Sequence, residues 1–295
     1  MIALPALPVQ ASPAMPPHLP LLTRSVHDAL ATARDAGEAT LTCTLDLQRT
    51  TTTVGIGADA WRWNDRDWPY LDRCKERTVY HWTGEAFEPV SRYGESLIKL
   101  VPTDWGPPTF EIDGIKMLPT AQVSPYADAE RKVGLIEPRG KTVLDTCGGL
   151  GYFAACSLAG GAARIQSYEK NADVIWLRSL NPWSPSVEDS GGRLQLTWGD
   201  VSEHIGSLPS GSFDAALHDP PRFGIAGELY SQAFYDQLAR VLRRNGRLFH
   251  YTGMPNKLTS RRDVPNEVAT RLQRAGFDTQ PVGDGVLAVK RTRHR

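Results

Sequence analysis

At 295 residues, with 33 basic and 33 acidic side chains and 41% hydrophobic residues, the chain has an ordinary soluble composition and the length for one large domain or two unequal ones. No apolar run is long enough to span a bilayer and the N-terminus lacks the basic-then-apolar order of a secretory signal, so a cytoplasmic protein with no membrane partner is expected. The charge is unevenly placed: residues 240–295 carry 13 basic and 4 acidic side chains, a local surplus that suits either a nucleic-acid partner or a plain solvated surface.

Residues 1–20 hold six prolines among small and apolar residues, which predicts a flexible, extended arm. The spacing of Leu22, Val26, Leu30 and Ala33 predicts a short helix stopped at Gly37. Stretches 40–49, 51–56 and 78–82 alternate or carry β-branched residues, and further strands are expected near 96–101 and 109–112. Residues 21–124 therefore read as a small β-rich domain. It holds five of the eight tryptophans: Trp61, Trp63, Trp68, Trp82 and Trp105. Exposed rings can stack on bases, but a small sheet needs large apolar side chains inside it, and core is the favoured reading for most of them.

A helix over 125–138 leads into a different texture. Strands at 143–145, 164–169, 194–199, 213–219, 247–251 and 285–290 alternate with helices at 151–160, 171–180, 201–207, 227–244 and 264–275. That alternation predicts an α/β, doubly wound, Rossmann-like parallel sheet over 125–295. The four cysteines (Cys43, Cys74, Cys147, Cys156) form no CxxC pairs, so neither a metal site nor a disulfide framework is expected.

The stretch 141–155, KTVLDTCGGLGYFAA, is a buried strand running through a glycine cluster (Gly148, Gly149, Gly151) into a helix start. Glycine lets backbone approach a ligand closely, and the first helical turn offers free N–H donors. Four successive predicted strands finish in a carboxylate: Asp145, Glu169, Asp200 and Asp219. Ligands of such sheets sit at the carboxyl ends of the strands. Glu169 is placed to accept from two ribose hydroxyls, Asp200 from an adenine amine, and Asp145 to orient the loop or accept from a ligand ammonium.

In that order, VLDTCGGLG, YEKN, WGD and HDPPRF resemble the motifs of class I S-adenosylmethionine-dependent methyltransferases. The resemblance covers about residues 125–290 and implies S-adenosyl-L-methionine as cofactor. The implied cofactor residues are Asp145, Cys147, Gly148, Gly149, Gly151, Glu169, Lys170, Asp200, Val201 and Asp219. One departure stands out: Cys147 replaces the first glycine usual in the loop.

Asp219-Pro220-Pro221 is the most informative tripeptide in the chain. Two prolines fix φ and withhold two N–H groups, so the strand end is stiff, and a carboxylate beside a proline carbonyl can hold an amino group by two acceptors. It resembles the Pro-Pro-aromatic motif of amino-methyltransferases, with Arg222 where the aromatic belongs and Phe223 one place later. The resemblance implies Asp219, Pro220, Pro221 and Arg222 as catalytic residues and Phe223, Tyr230, His250 and Tyr251 as lining for the acceptor. The next strand brings no cysteine nucleophile, which disfavours cytosine C5 chemistry. The wider run from 218 to 253 is similar to a methyltransferase group best represented in archaea, which implies an RNA substrate, cytidine N4 of ribosomal RNA in particular. The competing readings are a small-molecule or protein N-methyltransferase, a spermidine-synthase-like aminopropyl transferase, and a non-catalytic binding module. A basic surface beside Asp219 would favour RNA and an acidic one a polyamine.

Overall fold

The computed structural model describes residues 19–118, 120–222, 224–253 and 263–291. The proline-rich stretch up to residue 18 and Phe223 lie outside the described residues. Seven strands form the central sheet: β1 (Thr142–Asp145), β2 (Arg164–Glu169), β3 (Leu194–Trp198), β4 (Phe213–His218), β5 (Leu242–Tyr251), β6 (Phe277–Val282) and β7 (Gly285–Lys290). Their order is β3-β2-β1-β4-β5-β7-β6, parallel except for β7. This is the Rossmann-like methyltransferase fold, with additional antiparallel sheets ahead of it. The strand order reverses between β1 and β4, and that switch point is where an open α/β sheet has its ligand crevice.

The inner strands are apolar on both faces because helices cover both. Val143, Leu144, Ala215, Ala216 and Leu217 have no exposed surface. Helices α2 (Pro125–Ile136), α3 (Tyr152–Ala159) and α4 (Ala172–Leu180) pack with Val143, Ile165 and Leu217 on one face. On the other, α5 (Val201–His204), α6 (Gln232–Val241) and α7 (Val264–Arg274) cover Leu144, Ala216 and Leu248. All but α3, which starts at Gly151, begin from a side-chain cap: Ser124 for α2, Asn171 for α4, Asp200 for α5, Ser231 for α6 and Asp263 for α7 accept from backbone N–H groups of the first turn.

Two elements differ from the sequence reading. The helix expected over 227–244 is a 3₁₀ turn (Gly227–Tyr230), the Ser231 cap and then α6, and it ends at Val241 because Leu242 already pairs with Phe213 in the sheet. Strand β6, which carries Pro281, was not among the expected strands. It pairs only with β7 at the sheet edge, where a missing N–H is tolerated.

In the N-terminal part, three small antiparallel sheets accompany helix α1 (Arg24–Asp35), which buries Val26, Leu30 and Ala33, the first two in a core shared with two of those sheets. Trp61, Trp68 and Trp82 are buried, with Trp61 stacked on Trp68 at 5.9 Å and Trp82 edge-on to Trp68 at 5.5 Å. Trp105 is exposed. The core reading holds for most of the five. Leu47, Val79, Ile98, Leu100 and Phe110 belong to the same apolar cluster as Val143 and Leu217, so the strands of 91–112 share the core on the side of the central sheet covered by α2, α3 and α4, where Tyr152 hydroxyl donates to the Pro108 carbonyl at 2.7 Å. Among the described residues no helix is long and apolar enough to cross a membrane.

Candidate functional site

The glycine loop is fixed by its fit against β2. Gly148 N–H donates to the Tyr168 carbonyl at 2.7 Å, and a Cβ at residue 148 would sit 2.5 Å from Ser167 Oγ and 3.2 Å from the Tyr168 carbonyl oxygen. Gly149 and Gly151 have φ of +49° and +84°, the left-handed region that side chains avoid. Cys147 has no such φ. The close approach has moved one place along, to Gly148, and that is why residue 147 need not be glycine. Its thiol lies 3.7 Å from Thr146 Oγ1, and burial holds it well above the usual thiol range, an unreactive state.

Around this loop the acids fall where the strand ends place them. Asp145 is fully buried; Ser167 Oγ donates to Oδ2 at 2.8 Å, while Oδ1 makes no hydrogen bond. Burial pushes its carboxyl up to about 6, against the pull of Ser167 and the nearby Arg178. Glu169 accepts from Gly149 N–H and Asn171 N–H, each at 2.9 Å, tying the loop to the start of α4. Burial raises its pKa, with those two N–H groups opposing. Asp200 caps α5 through Ser202 N–H at 2.9 Å and meets Lys170 Nζ at 3.2 Å. Burial works to raise its pKa, but Ser202 and Lys170 outweigh it and hold the carboxyl below its usual range. Val201 is buried beneath. An adenosyl group fits this set. Glu169 keeps free lone pairs after its two backbone contacts, and Asp145 Oδ1 is an orphaned acceptor.

Asp219 follows β4 directly across the switch, where Thr146 N–H donates to the Leu217 carbonyl at 3.1 Å. The Pro-Pro turn is pinned: Tyr230 hydroxyl donates to the Pro221 carbonyl at 3.1 Å. Beneath it lie two fully buried histidines, ring centroids 4.4 Å apart. A carbonyl only accepts, so His218 Nε2 carries the hydrogen toward Leu229 O (3.1 Å) and Nδ1 accepts from Thr146 Oγ1 (2.7 Å). By the same logic His250 Nδ1 donates to Tyr251 O (2.8 Å) and Nε2 accepts from Tyr235 hydroxyl (2.9 Å). Both rings are thus neutral: burial pushes His218 down to about 4 and His250 well below its usual range. Of the residues expected to line an acceptor, His250 and Tyr230 are buried, Tyr251 is half-buried, and Arg222 beside them is exposed.

Sequence reasoning missed a cation at the centre of this edge. Lys132 on α2, 1% exposed, has its Nζ 2.7 Å from Asp128 Oδ2 and 3.8 Å from both Asp219 Oδ2 and Asp284 Oδ2. It lies 4.0 Å over the Tyr251 ring. Burial pushes the Asp219 carboxyl up to about 6, with Lys132 opposing and Asp128 and Asp284 reinforcing. Arg178 was also missed. It is 4% exposed with both terminal nitrogens unpaired by hydrogen bonds, packed behind Gly148 and Gly151.

Among the described residues, much of the basic surplus of the C-terminal part is paired within the chain. Arg240 donates to the Ile205 and Leu208 carbonyls, Arg243 pairs with Asp214, Arg247 with Glu137, Arg271 with the Tyr230 carbonyl and Lys290 with that of Leu242. A cavity of about 460 Å³ lies apart from the carboxylates, lined by N-terminal residues such as Arg24, Gln48 and Arg77.

No family model matches the chain. A spermidine synthase solved with the transition-state analogue AdoDATO superposes with a TM-score of 0.52 at 16% identity, over 70% of this chain and 76% of that one, a likeness of fold. Polyamine aminopropyltransferase 2 of Streptomyces coelicolor is 29% identical over 98 residues, 32% of this chain and 18% of that protein. The uncharacterized protein MJ1233 of Methanocaldococcus jannaschii is 42% identical over 212 residues, 70% of this chain and 71% of the relative. At that identity and coverage, this chain belongs to the family of MJ1233.

Proposed function

We propose that the chain is an S-adenosylmethionine-dependent methyltransferase that places its methyl group on an amino nitrogen held at Asp219-Pro220-Pro221, the acceptor being an exocyclic amine of a nucleobase in RNA, cytidine N4 of ribosomal RNA foremost. The observation that carries this reading is the juxtaposition across the β1/β4 switch: the glycine loop with Glu169 on one side, a proline-stiffened carboxylate on the other. Bound by the loop, Glu169 and Asp200, the cofactor supplies a methyl group on a positively charged sulfur. Asp219 accepts one N–H of the amino group, which turns the nitrogen lone pair toward the donor. Tyr230, through the Pro221 carbonyl, keeps the turn from swinging away. With a pKa of about 6 the Asp219 carboxylate is ionised at neutral pH and close enough to neutrality to take the proton the methylated nitrogen releases.

A second reading is favoured by one observation, the likeness to a spermidine synthase structure and to a polyamine aminopropyltransferase sequence. It makes the chain an aminopropyl transferase, with Asp219 receiving an amine. One experiment separates the two. Tritiated S-adenosylmethionine is offered with total RNA, protein extract and polyamines, and decarboxylated S-adenosylmethionine with putrescine. Label in RNA that vanishes with Asp219→Ala is the expected outcome; label in small molecules alone overturns it. Glu169→Ala is expected to weaken cofactor binding by calorimetry about 10- to 100-fold, the worth of hydrogen bonds to a charged group, and Asp219→Ala by less. The reverse order would contradict the assigned roles.

A further inference from the structure

Lys132 has no task in the transfer as described, yet it is the most deeply buried cation beside Asp219. Three elements converge on its ammonium: Asp128 from α2, Asp219 from the end of β4 and Asp284 from the turn between β6 and β7. The rings of Tyr251 and Phe153 close over it at 4.0 and 5.8 Å. Arg131 is the other cation at this cluster, 2.9 Å from Asp128 and 2.7 Å from Asp284, but it reaches them from the exposed side. Three carboxylates with two aromatic faces make up a receptor for an alkylammonium. Here the chain's own side chain fills it.

We infer that Lys132 is a specificity-determining residue: its ammonium occupies the position among Asp128, Asp219 and Asp284 that a cationic amine would take, so the site receives a neutral amino group and refuses a polyamine. The inference rests on the proposed reading of Asp219 as the acceptor-holding carboxylate. Its physical ground is simple. A second ammonium would share the carboxylates with Lys132 at close range, and like charges so placed repel. A neutral amine needs only one free lone pair of Asp219, whose side chain keeps 21% of its surface exposed while that of Lys132 keeps 2%. The aminopropyl transferases that the chain resembles in fold act, by name, on polyamines. Lys132 is the feature of this chain that turns the same kind of edge toward a different acceptor.

The test is to empty the position. Putrescine is titrated by calorimetry at pH 8 into the wild-type protein, Lys132→Ala, and Lys132→Ala/Asp284→Asn. Lys132→Ala is expected to bind putrescine at least about tenfold more tightly than wild type, which asks only about 1.4 kcal/mol of carboxylates left uncompensated. Adding Asp284→Asn should reverse much of that gain. Putrescine binding to wild type as tight as to Lys132→Ala, or a folded Lys132→Ala with no gain, overturns the inference. Should Lys132→Ala be isolated only unfolded, refolding in n-butylammonium chloride is compared with tetramethylammonium chloride at equal concentration. Recovery in the primary ammonium alone supports the inference, and equal recovery or none in both overturns it. Every arm reads amine binding without a methyl donor. A protein that methylates no RNA but gains putrescine binding in Lys132→Ala therefore loses the RNA reading and keeps this one.

Discussion

The two sides of the β1/β4 switch are built by opposite means. On the cofactor side, the loop, Glu169 and Asp200 come from consecutive βα units, and each polar contact links residues at neighbouring strand ends: Gly149 to Glu169, Asn171 to Glu169, Lys170 to Asp200. On the acceptor side, Asp219 is held by Lys132 from α2, its turn is pinned by Tyr230, and Asp284 arrives from the far hairpin. The first side, proposed to hold the adenosyl group, is fixed by backbone shape. The second is assembled from distant side chains, so it can be retuned residue by residue without disturbing the sheet. Shape governs one side and charge the other.

The largest expected effect breaks the cofactor side by shape alone. Gly148→Ala drives a methyl group to 2.5 Å from Ser167 Oγ and 3.2 Å from the Tyr168 carbonyl, backbone that cannot yield. The loop must lift away from β2, and the Gly148 N–H bond to Tyr168 and the Gly149 N–H bond to Glu169 go with it. Cofactor affinity should fall about 100-fold or more, the worth of roughly two such hydrogen bonds including one to a charged group. Cys147→Gly, at the place where the motif usually has its glycine, should change affinity less than about threefold, since only backbone freedom is added. Calorimetric titration of both variants checks the pair. Equal losses would show that the loop needs its glycines for flexibility and not for fit.

How far each side is legible in sequence follows from the same contrast. Asp145, Glu169, Asp200 and Asp219 are readable because strand period and turn chemistry place them one after another at one edge. Gly148 could be seen as a glycine but not as the residue that takes over the close approach, which depends on where Ser167 points. Lys132 reads in sequence as half of an ordinary i,i+4 pair with Asp128 on a helix surface. Nothing local says that Asp219 and Asp284 will close over it. Asp284 in turn follows Gly283 in a stretch that the sequence reading left outside every element. The histidines are legible as strand-end residues, but their burial and fixed tautomers arise from Thr146, Leu229 and Tyr235, three separate elements. Local signals mark the shape-built side, and long-range packing decides the charge-built one.

A smaller effect reads the acceptor side through pH. His218 and His250 are neutral and buried in the folded chain, and both regain an ordinary pKa near 6.5 on unfolding. Their folded pKa values are depressed, so between those values and about 6.5 the unfolded chain binds more protons than the folded one. The histidines' share of stability should therefore be full above pH 7 and fall as pH drops toward 4, by about 3 kcal/mol from His218 alone, while Asp145 and Asp219, raised to about 6 by burial, gain protons over the same range and pull the other way. Thermal melts of the parent and His218→Gln across pH 4–8 check this: the parent should lose stability relative to the variant as pH falls from 7 to 4. A difference between the two that stays constant with pH would show that His218 is not held neutral by the fold.

The smallest expected effect isolates one bond. Tyr230→Phe removes the hydroxyl that donates to the Pro221 carbonyl and leaves the ring packed beside His250, with centroids 5.4 Å apart in the parent chain. The loss in stability should be about 1 kcal/mol, the net worth of one ordinary hydrogen bond. Because the carbonyl belongs to the turn that carries Asp219, methyl transfer should fall several-fold at unchanged cofactor affinity. A drop in cofactor affinity instead would mean that Tyr230 acts through Thr146 and the glycine loop, and that the two sides of the switch are coupled. An effect on transfer alone keeps them separable: a shape-built cradle for the donor, and beside it a charge-built clamp that a single hydroxyl helps to aim.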